Sequence, residues 1–186
     1  NPDHIVGGMA FVCINRLAPG VVHHMDHGMV RIGPFRETAR GEATQIVEMF
    51  KASKIRCEEI PDLKLGRWTK LVWNIPFNGF GAVMDVDTER LLCTDAGKKL
   101  VADLMAEVIA AANVAGVNLP ASAAQAQIER TYSMGAYKSS SQVDRQMGRP
   151  LEIDAIFERP LQMAQKAGLN SPIWELLVRQ LRAMDR

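Results

Sequence analysis

The chain contains little cysteine, and its three cysteines are scattered. Cys13, Cys57 and Cys93 lie in apolar or amphipathic stretches, without the short spacings that a zinc site or a disulfide framework needs. This pattern is typical of a reducing cytosol, so we expect a cytoplasmic protein. The chain also lacks a run of about 18 uncharged apolar residues, the minimum for a membrane span. We therefore expect no membrane partner.

Charged residues form no block of one sign. The chain has 22 Lys and Arg against 21 Asp and Glu, a net charge of +1, and no basic stripe. Because a nucleic-acid-binding surface needs such a basic footprint, we expect no nucleic-acid partner. The hydrophobic share of 47% is enough to form a hydrophobic core. The length of 186 residues is enough for one large domain or for one and a half small domains.

The most informative stretch is residues 68–78, WTKLVWNIPFN. It places Lys70, Asn74 and Asn78 at intervals of four in apolar surroundings, which on a helix puts them on one face. Buried polar groups are costly unless they are paired, so the protein or a ligand must supply partners. A carbonyl substrate suits them, because an ammonium can donate a proton and amides can donate hydrogen bonds. Alternatively, Pro76 ends the helix, Asn78 lies in a turn and Lys70 extends to solvent.

A second block lies further along the chain. Residues 139–144 (SSSQVD) are followed by residues 148–154 (GRPLEID). Together with Lys70, Asn74 and Asn78, this block resembles the ketopantoate reductase (2-dehydropantoate 2-reductase) family. Residues 7–10, 16–24 and 30–33 agree with the family in the same order, so the resemblance covers nearly the whole chain.

The resemblance implies an oxidoreductase that transfers a hydride from NADPH to the C2 carbonyl of a 2-keto acid, turning 2-dehydropantoate into pantoate in pantothenate biosynthesis. It implies that Lys70 donates the proton, and its charge would also stabilise the developing alkoxide. Asn74 and Asn78 would position the substrate. Ser140 would bind the substrate carboxylate, at a helix N-terminus whose N–H groups favour an anion.

Three further roles follow from the resemblance alone. Glu152 would lie beside the cofactor, Ile14 would contact the cofactor through its backbone, and Thr88 would contact the substrate. Plainer explanations stay open for several of these residues. Ser140 could serve only as a helix N-cap, Glu152 as a first-turn acid, and Thr88 as a turn or cap residue.

The chain departs from the commonest family pattern at a few positions. These are Pro76 before Asn78, Gly79 after it, Val143 in place of a glutamine, and Pro160 inside a helix. The lysine chemistry is unaffected, but the identity of the keto acid stays open, because Phe77 and Phe80 would shape the pocket.

The family begins with a Rossmann half that carries Gly-x-Gly-x-x-Gly after its first strand. The nearest string here, residues 79–84 (GFGAVM), lacks the third glycine and follows a helix. We therefore expect a fragment that lacks on the order of a hundred residues of its dinucleotide domain. Alone, it should be inactive.

The coarse pattern predicts an α/β remnant of a Rossmann domain in residues 1–64, followed by an all-α domain in residues 65–186. The second part would be the C-terminal helical domain of the 6-phosphogluconate-dehydrogenase type. In the first part we expect a strand over 5–14, short strands over 21–24 and 29–32 around a turn at 26–28, a helix over 39–54 and a strand over 55–60. One face of that helix is formed by Ala43, Ile46, Val47 and Phe50.

In the second part the clearest helix is 95–115, which Gly116 ends. Its apolar face is formed by Leu100, Val101, Leu104, Met105, Val108, Ile109 and Ala112. Pro160 should kink or split the helix predicted over 152–167, and Ser171 followed by Pro172 should start the last helix.

The sequence His23-His24-x-x-His27 suggests a metal site, but we expect none. Adjacent residues of a strand point to opposite faces, so His23 and His24 cannot easily share an ion.

Two other functions remain open. The chain could belong to a reductase of the same superfamily that acts on another keto acid or an imine. It could also be a non-catalytic helical dimerisation or binding module. As a partner we expect a second copy of the chain, in a homodimer through the helical domain.

Overall fold

The computed structural model describes residues 1–185, apart from the side chains of Asn15, Met25, Asp26 and His27. The chain forms two compact units, one made by Asn1–Arg67 and one that starts at Trp68. The first unit is α/β and the second is helical, which confirms the predicted fold class. The division falls inside a helix, three residues after the sequence-based boundary.

The first unit is a three-stranded sheet with one helix. Its elements are β1 (Val6–Ala18), β2 (Val21–Pro34), α1 (Arg40–Ala52) and β3 (Arg56–Glu59), with 3-10 turns at Pro2–His4 and Glu37–Ala39. β2 pairs antiparallel with β1 and parallel with β3, where Val30 lies opposite Cys57. The helix α1 therefore connects two parallel strands, as in a Rossmann domain.

The small core of this unit lies between α1 and the sheet. Ala43 and Val47 of α1 pack with Ile32 of β2 and Cys57 of β3, and Ile46 and Phe50 extend the same face. The sequence pattern predicted this face of α1. Burial raises the pKa of the Cys57 thiol, so this side chain stays neutral in the core.

The prediction of two short strands around a turn at 26–28 was wrong. β1 and β2 are single long strands that turn at Pro19 and Gly20, where Gly20 has φ of 76°. Gly28, with φ of 127°, is the extra residue of a β-bulge opposite Phe11 and Val12. The long partner strand β1 continues to pair past Gly28, so the glycine produces a bulge where a turn was expected.

The second unit begins within α2 (Leu63–Met84), a helix that continues through Pro76. The alternative in which Pro76 ends the helix is therefore wrong. A proline inside a helix costs about 3 kcal/mol, but its neighbours Ile75 and Phe77 are 0% and 2% exposed. Burying each such side chain contributes about 1.5–3 kcal/mol, which is enough to offset the proline.

The other helices of this unit surround a single core. They are α3 (Thr88–Leu92), α4 (Asp95–Val114), α5 (Ser122–Tyr132), α6 (Ser140–Gln146), α7 (Arg159–Lys166) and α8 (Pro172–Met184). The predicted face of α4 lies at the centre, and Leu104, Met105 and Val108 are fully buried there. Thr94 caps the start of α4 by accepting from the Gly97 N–H, and Gly116 follows its end with φ of 82°.

Pro160 splits its helix, as predicted, through a π-helical turn. The turn covers Asp154–Glu158, where the Arg159 N–H bonds to the Asp154 carbonyl five residues earlier, and α7 starts at Arg159. Since proline has no N–H to donate, the wider turn ahead of it accommodates the missing helical bond.

The last helix, α8, starts at Pro172 as predicted, but its cap comes from another helix. The side chain of Ser171 makes no capping hydrogen bond. Instead, the Glu107 carboxylate of α4 accepts from the N–H groups of Ile173 at 3.1 Å and Trp174 at 2.9 Å. These are two of the N–H groups that a helix start leaves without intrahelical partners.

Candidate functional site

The polar residues of α2 form one face of a continuous helix. Lys70, Asn74 and Asn78 follow at intervals of four in α2, so they lie one above the other. Lys70 and Asn74 are partly buried, and Asn78 is only 3% exposed. A polar side chain buried this deeply, on the face that also carries Lys70 and Asn74, favours a polar ligand there, because buried amides are costly without polar partners.

Lys70 is partly withdrawn from water, and Glu152 faces it. Burial lowers the pKa of Lys70, while the negative charge of Glu152 raises it and partly opposes this effect. Glu152 itself is exposed. Residues that are 82 positions apart in the sequence are thus close enough for their charges to interact, at the end of the polar face nearest the start of α2.

The other end of this polar face meets the start of α6. A Cβ on Gly81 would lie 2.9 Å from Ser139 Oγ and 3.6 Å from Gln142 Cβ. A side chain at position 81 would therefore push α6 away from α2, three residues beyond Asn78. The two sequence blocks that resembled the family, 68–78 and 139–154, thus pack along the same face.

Ser140 is the first residue of α6 and is exposed. It is not the N-cap, which corrects the plainer explanation for this residue. Ser139 has that role, because its hydroxyl accepts from the Gln142 N–H at 3.4 Å and its backbone is extended. The Ser140 hydroxyl is therefore not needed for capping.

The side chain of Thr88 makes hydrogen bonds that hold the fold together. Its hydroxyl donates to the Gly135 carbonyl at 2.6 Å and accepts from the Tyr137 N–H at 3.2 Å. It is buried and holds the segment that precedes α6. Asp87, whose side chain accepts from the Arg90 N–H, is the N-cap of α3. The substrate contact expected for Thr88 stays a prediction.

Ile14 lies in the first unit, on β1, with its side chain 44% exposed. Its backbone belongs to the β1–β2 ladder, where it lies opposite His24. The cofactor contact expected from its backbone stays a prediction.

Sequence reasoning missed an aromatic cluster beside the polar face. The rings of Trp73 and Phe77 stack at 4.9 Å, and Tyr137 lies 6.3 Å from Trp73. Trp73 and Phe77 follow Lys70 and Asn74 by three residues, so each neighbours a polar residue on the helix surface. The Trp73 indole donates to Thr131 Oγ1 at 2.9 Å, which fixes the ring. The three-residue spacing between Lys70 and Trp73 is visible in the sequence. The contact of Trp73 with Tyr137 depends on the fold, and the sequence does not show it.

The histidines expected not to bind metal lie on β2. His23 and His24 are consecutive strand residues, and the side chain of His27 lies outside the described part of the structure. Within the described residues, no group of three or more His, Cys, Asp or Glu side chains has the geometry of a metal site.

Comparison with known proteins identifies the family. The family model described as "Ketopantoate reductase PanE/ApbA C terminal" matches residues 62–185. The chain belongs to the ketopantoate reductase family. This match covers the helical unit with the polar face of α2, Ser140 and Glu152.

Individual members of the ketopantoate reductase family align with nearly the whole chain. A 2-dehydropantoate 2-reductase of a Nostoc species is 39% identical over 98% of this chain and 59% of its own length. The crystal structure of 2-dehydropantoate 2-reductase from Geobacter metallireducens has a TM-score of 0.92 at 40% identity, over 96% of this chain and 60% of that one. The chain thus spans about three fifths of the length of these relatives.

A more distant structure shares the fold. D-mandelate dehydrogenase, solved as a ternary structure with NADH and anilino(oxo)acetate, has a TM-score of 0.89 at 20% identity, over 98% of this chain and 60% of that one. In the described part of this ketopantoate reductase family member, no helix combines the length and hydropathy of a membrane span.

Proposed function

We propose that the full-length protein is an NADPH-dependent 2-keto acid reductase, with 2-dehydropantoate as its first candidate substrate. The observation that carries the proposal is the face formed by Lys70, Asn74 and Asn78 on unbroken α2, with Glu152 facing Lys70. Membership of the ketopantoate reductase family supports the same reaction class.

In this proposal Lys70 acts as the general acid. NADPH would supply the hydride to C2, so negative charge develops on the carbonyl oxygen. The ammonium of Lys70 would stabilise that charge and transfer its proton to the oxygen. Partial burial makes the proton easier to release, because desolvation disfavours the charged lysine.

Asn74 and Asn78 would orient the keto acid through their amides. Each amide offers two N–H donors and one acceptor, which suits a carbonyl, carboxylate or hydroxyl group. The burial of Asn78 favours such a contact, because a buried amide is costly unless it has polar partners. Ser140, exposed at the start of α6, would donate its hydroxyl to the substrate carboxylate.

Glu152 fits a place beside a nicotinamide cofactor, since its exposed carboxylate can accept from a ribose hydroxyl or a carboxamide N–H. Ile14 is proposed to contribute a backbone contact, and Thr88 a further substrate contact. The glycine-rich phosphate loop is not among these 186 residues, so we infer that this chain alone neither binds NADPH nor reduces a keto acid.

A keto acid with a bulkier apolar group is the second candidate substrate. The partly buried ring of Trp73 favours it, because it offers an apolar surface three residues after Lys70 on the same helix and is held by its stacking on the buried Phe77.

A substrate screen of the full-length protein tests this function. The panel would hold 2-dehydropantoate, branched and aromatic 2-keto acids and a cyclic imine, each with NADPH and NADH, with loss of absorbance as the readout. Turnover of a 2-keto acid that depends on Lys70 is the expected result. If no compound is turned over by a folded protein, a non-catalytic helical module becomes the better explanation.

Three accompanying properties are proposed with this function. We infer a cytoplasmic enzyme of pantothenate biosynthesis that dimerises through its helical domain. Light scattering of the full-length protein would measure its oligomeric state directly.

A further inference from the structure

The end of α2 is held by side chains of α6, through contacts that the proposed reaction does not use. Arg145 of α6 donates to the carbonyl oxygens of Ala82 and, at 3.2 Å, Val83. These carbonyls belong to the last turn of α2, where no helical N–H remains to bond them. A guanidinium there also complements the negative end of the helix dipole.

Asp85 provides the second contact of this kind. It follows α2 with φ of 55°, a left-handed conformation that is uncommon outside glycine and that Asp and Asn tolerate best. Its carboxylate oxygen Oδ1 accepts from Gln146 Nε2 at 2.6 Å and from Gln142 Nε2 at 3.2 Å. These two amides, with the charges of Arg145 and Lys138, lower the pKa of Asp85, so it stays ionised and keeps both bonds.

Gly81 lets these contacts form at close range. Its missing side chain leaves room for Ser139 and Gln142, which would be 2.9 and 3.6 Å from a Cβ there. The helix α6 therefore packs closely against the last part of α2, between Asn78 and the end of the helix just before Asp85. We refer to Arg145, Gln142, Gln146 and Asp85 as the α6 clamp.

The α6 clamp matters for the substrate because α6 has only seven residues. A helix that short has little stability of its own, so its place depends on what it is fixed to. Ser140 is its first residue, and Asn78 lies three residues before Gly81 on α2. The contacts of the α6 clamp thus hold α6, which begins with Ser140, against the end of α2 that follows Asn78.

We propose that Arg145 and Asp85 are positioning residues, which hold Ser140 at the correct distance from Asn74 and Asn78 to bind the two ends of the keto acid. This inference rests on the proposed function, since it concerns the same substrate. Neither residue touches the reacting atoms. Their effect should therefore fall on substrate binding and leave hydride and proton transfer intact.

The test compares Arg145→Met, Arg145→Lys and Asp85→Asn in the full-length protein, with NADPH and the best keto acid of the screen. Arg130→Met is the matched control, an exposed arginine in the last turn of α5. Arg145→Met should raise the KM for the keto acid about tenfold, the effect of losing roughly one hydrogen bond to a charged group. The kcat and the KM for NADPH should stay within about twofold.

Arg145→Lys should recover part of the loss, because a lysine can still donate to one carbonyl. Asp85→Asn should raise the KM less than Arg145→Met, since Asn keeps the left-handed backbone and one acceptor oxygen. Amide hydrogen exchange provides a readout independent of turnover. Exchange should accelerate in residues 139–146 and 82–86 of Arg145→Met and stay unchanged in Arg130→Met.

The possible outcomes separate the two proposals. Faster exchange with an unchanged KM would mean that the clamp exists but does not position the substrate, which overturns this inference and leaves the function standing. A lower kcat of Arg145→Met with an unchanged KM for the keto acid would overturn the positioning role as well. A folded wild-type protein that turns over no keto acid would overturn the proposed function, and this inference with it.

Discussion

At the residue scale, a single lysine carries the proposed chemistry, and its surroundings decide how well it can act. Lys70 is partly buried and faces Glu152, so two opposing effects set its pKa. Desolvation is the larger of the two and makes the proton easier to give up. The negative charge of Glu152 opposes this effect and favours the protonated lysine.

Replacing Lys70 should impair turnover far more than binding. Lys70→Ala in the full-length protein should lower kcat by about 10²–10⁴, the usual contribution of a general acid. Asn78→Ala should mainly raise KM, since a positioning contact is made in both ground and transition states. Steady-state kinetics measures both, with Lys166→Ala, an exposed lysine of α7, as control. Near-normal kcat in Lys70→Ala, with Ser140→Ala or Glu152→Ala inactive, would mean that the proton comes from elsewhere.

The pH dependence of the reaction should report the charge of Glu152. In the proposed mechanism the protonated form of Lys70 is the active one, so kcat/KM should fall as the pH rises through the lowered pKa of this lysine. Glu152→Gln removes the charge that raises that pKa, and the midpoint of the fall should move to lower pH. Asp103→Asn, which changes a carboxylate paired with Lys99 on α4, is the control. A midpoint that moves upward, or does not move, would contradict the pairing of Glu152 with Lys70.

At the scale of elements, close packing distinguishes two helical glycines that helix propensity alone would replace by alanine. Gly97 lies in the first turn of α4, where a Cβ would be 2.0 Å from the Leu91 carbonyl oxygen. Gly41 lies in α1 and has open space around its Cα. Glycine is therefore required by close packing at position 97 of α4, whereas position 41 of α1 has room for a side chain.

Alanine at these two positions should change stability in opposite directions. Gly97→Ala should lower the free energy of unfolding by about 1–3 kcal/mol, because backbone must move to relieve the overlap. Gly41→Ala should raise it by up to about 1 kcal/mol, the difference in helix propensity. Thermal unfolding followed by circular dichroism measures both. A stable Gly97→Ala variant would mean that α3 and α4 are further apart than the structure has them.

At the scale of the whole molecule, the sequence belongs to a known family but spans only about three fifths of its members' length. The covered part contains the helical unit, which carries Lys70, Asn78, Ser140 and Glu152. Binding of the cofactor phosphates needs a glycine-rich loop at a helix N-terminus, which these 186 residues do not contain.

The 186-residue chain should therefore bind no NADPH by itself. Isothermal calorimetry should detect no heat of binding for the chain, whereas the full-length protein measured in parallel should bind. Circular dichroism of the same sample would establish that the chain is folded. Micromolar binding of NADPH by the chain alone would overturn the argument from the missing loop.

The amino-acid sequence determined much of this protein by itself. The apolar spacing of α4 predicted its buried face, the pattern of α1 predicted the face that packs on the sheet, and two short segments were enough to predict the family. These features depend on periodicity and on residue types that are read locally. The four-residue spacing of Lys70, Asn74 and Asn78 belongs with them, since any helix aligns such residues.

Only the tertiary structure decided whether that helix exists beyond Pro76. A proline inside a helix costs more than local propensity can recover, and burial of Ile75 and Phe77 against distant helices offsets it. The same reason explains the bulge at Gly28, the cap that Glu107 gives to α8, and the pairing of Lys70 with Glu152. Each depends on a partner remote in the chain, which no local pattern of residues contains.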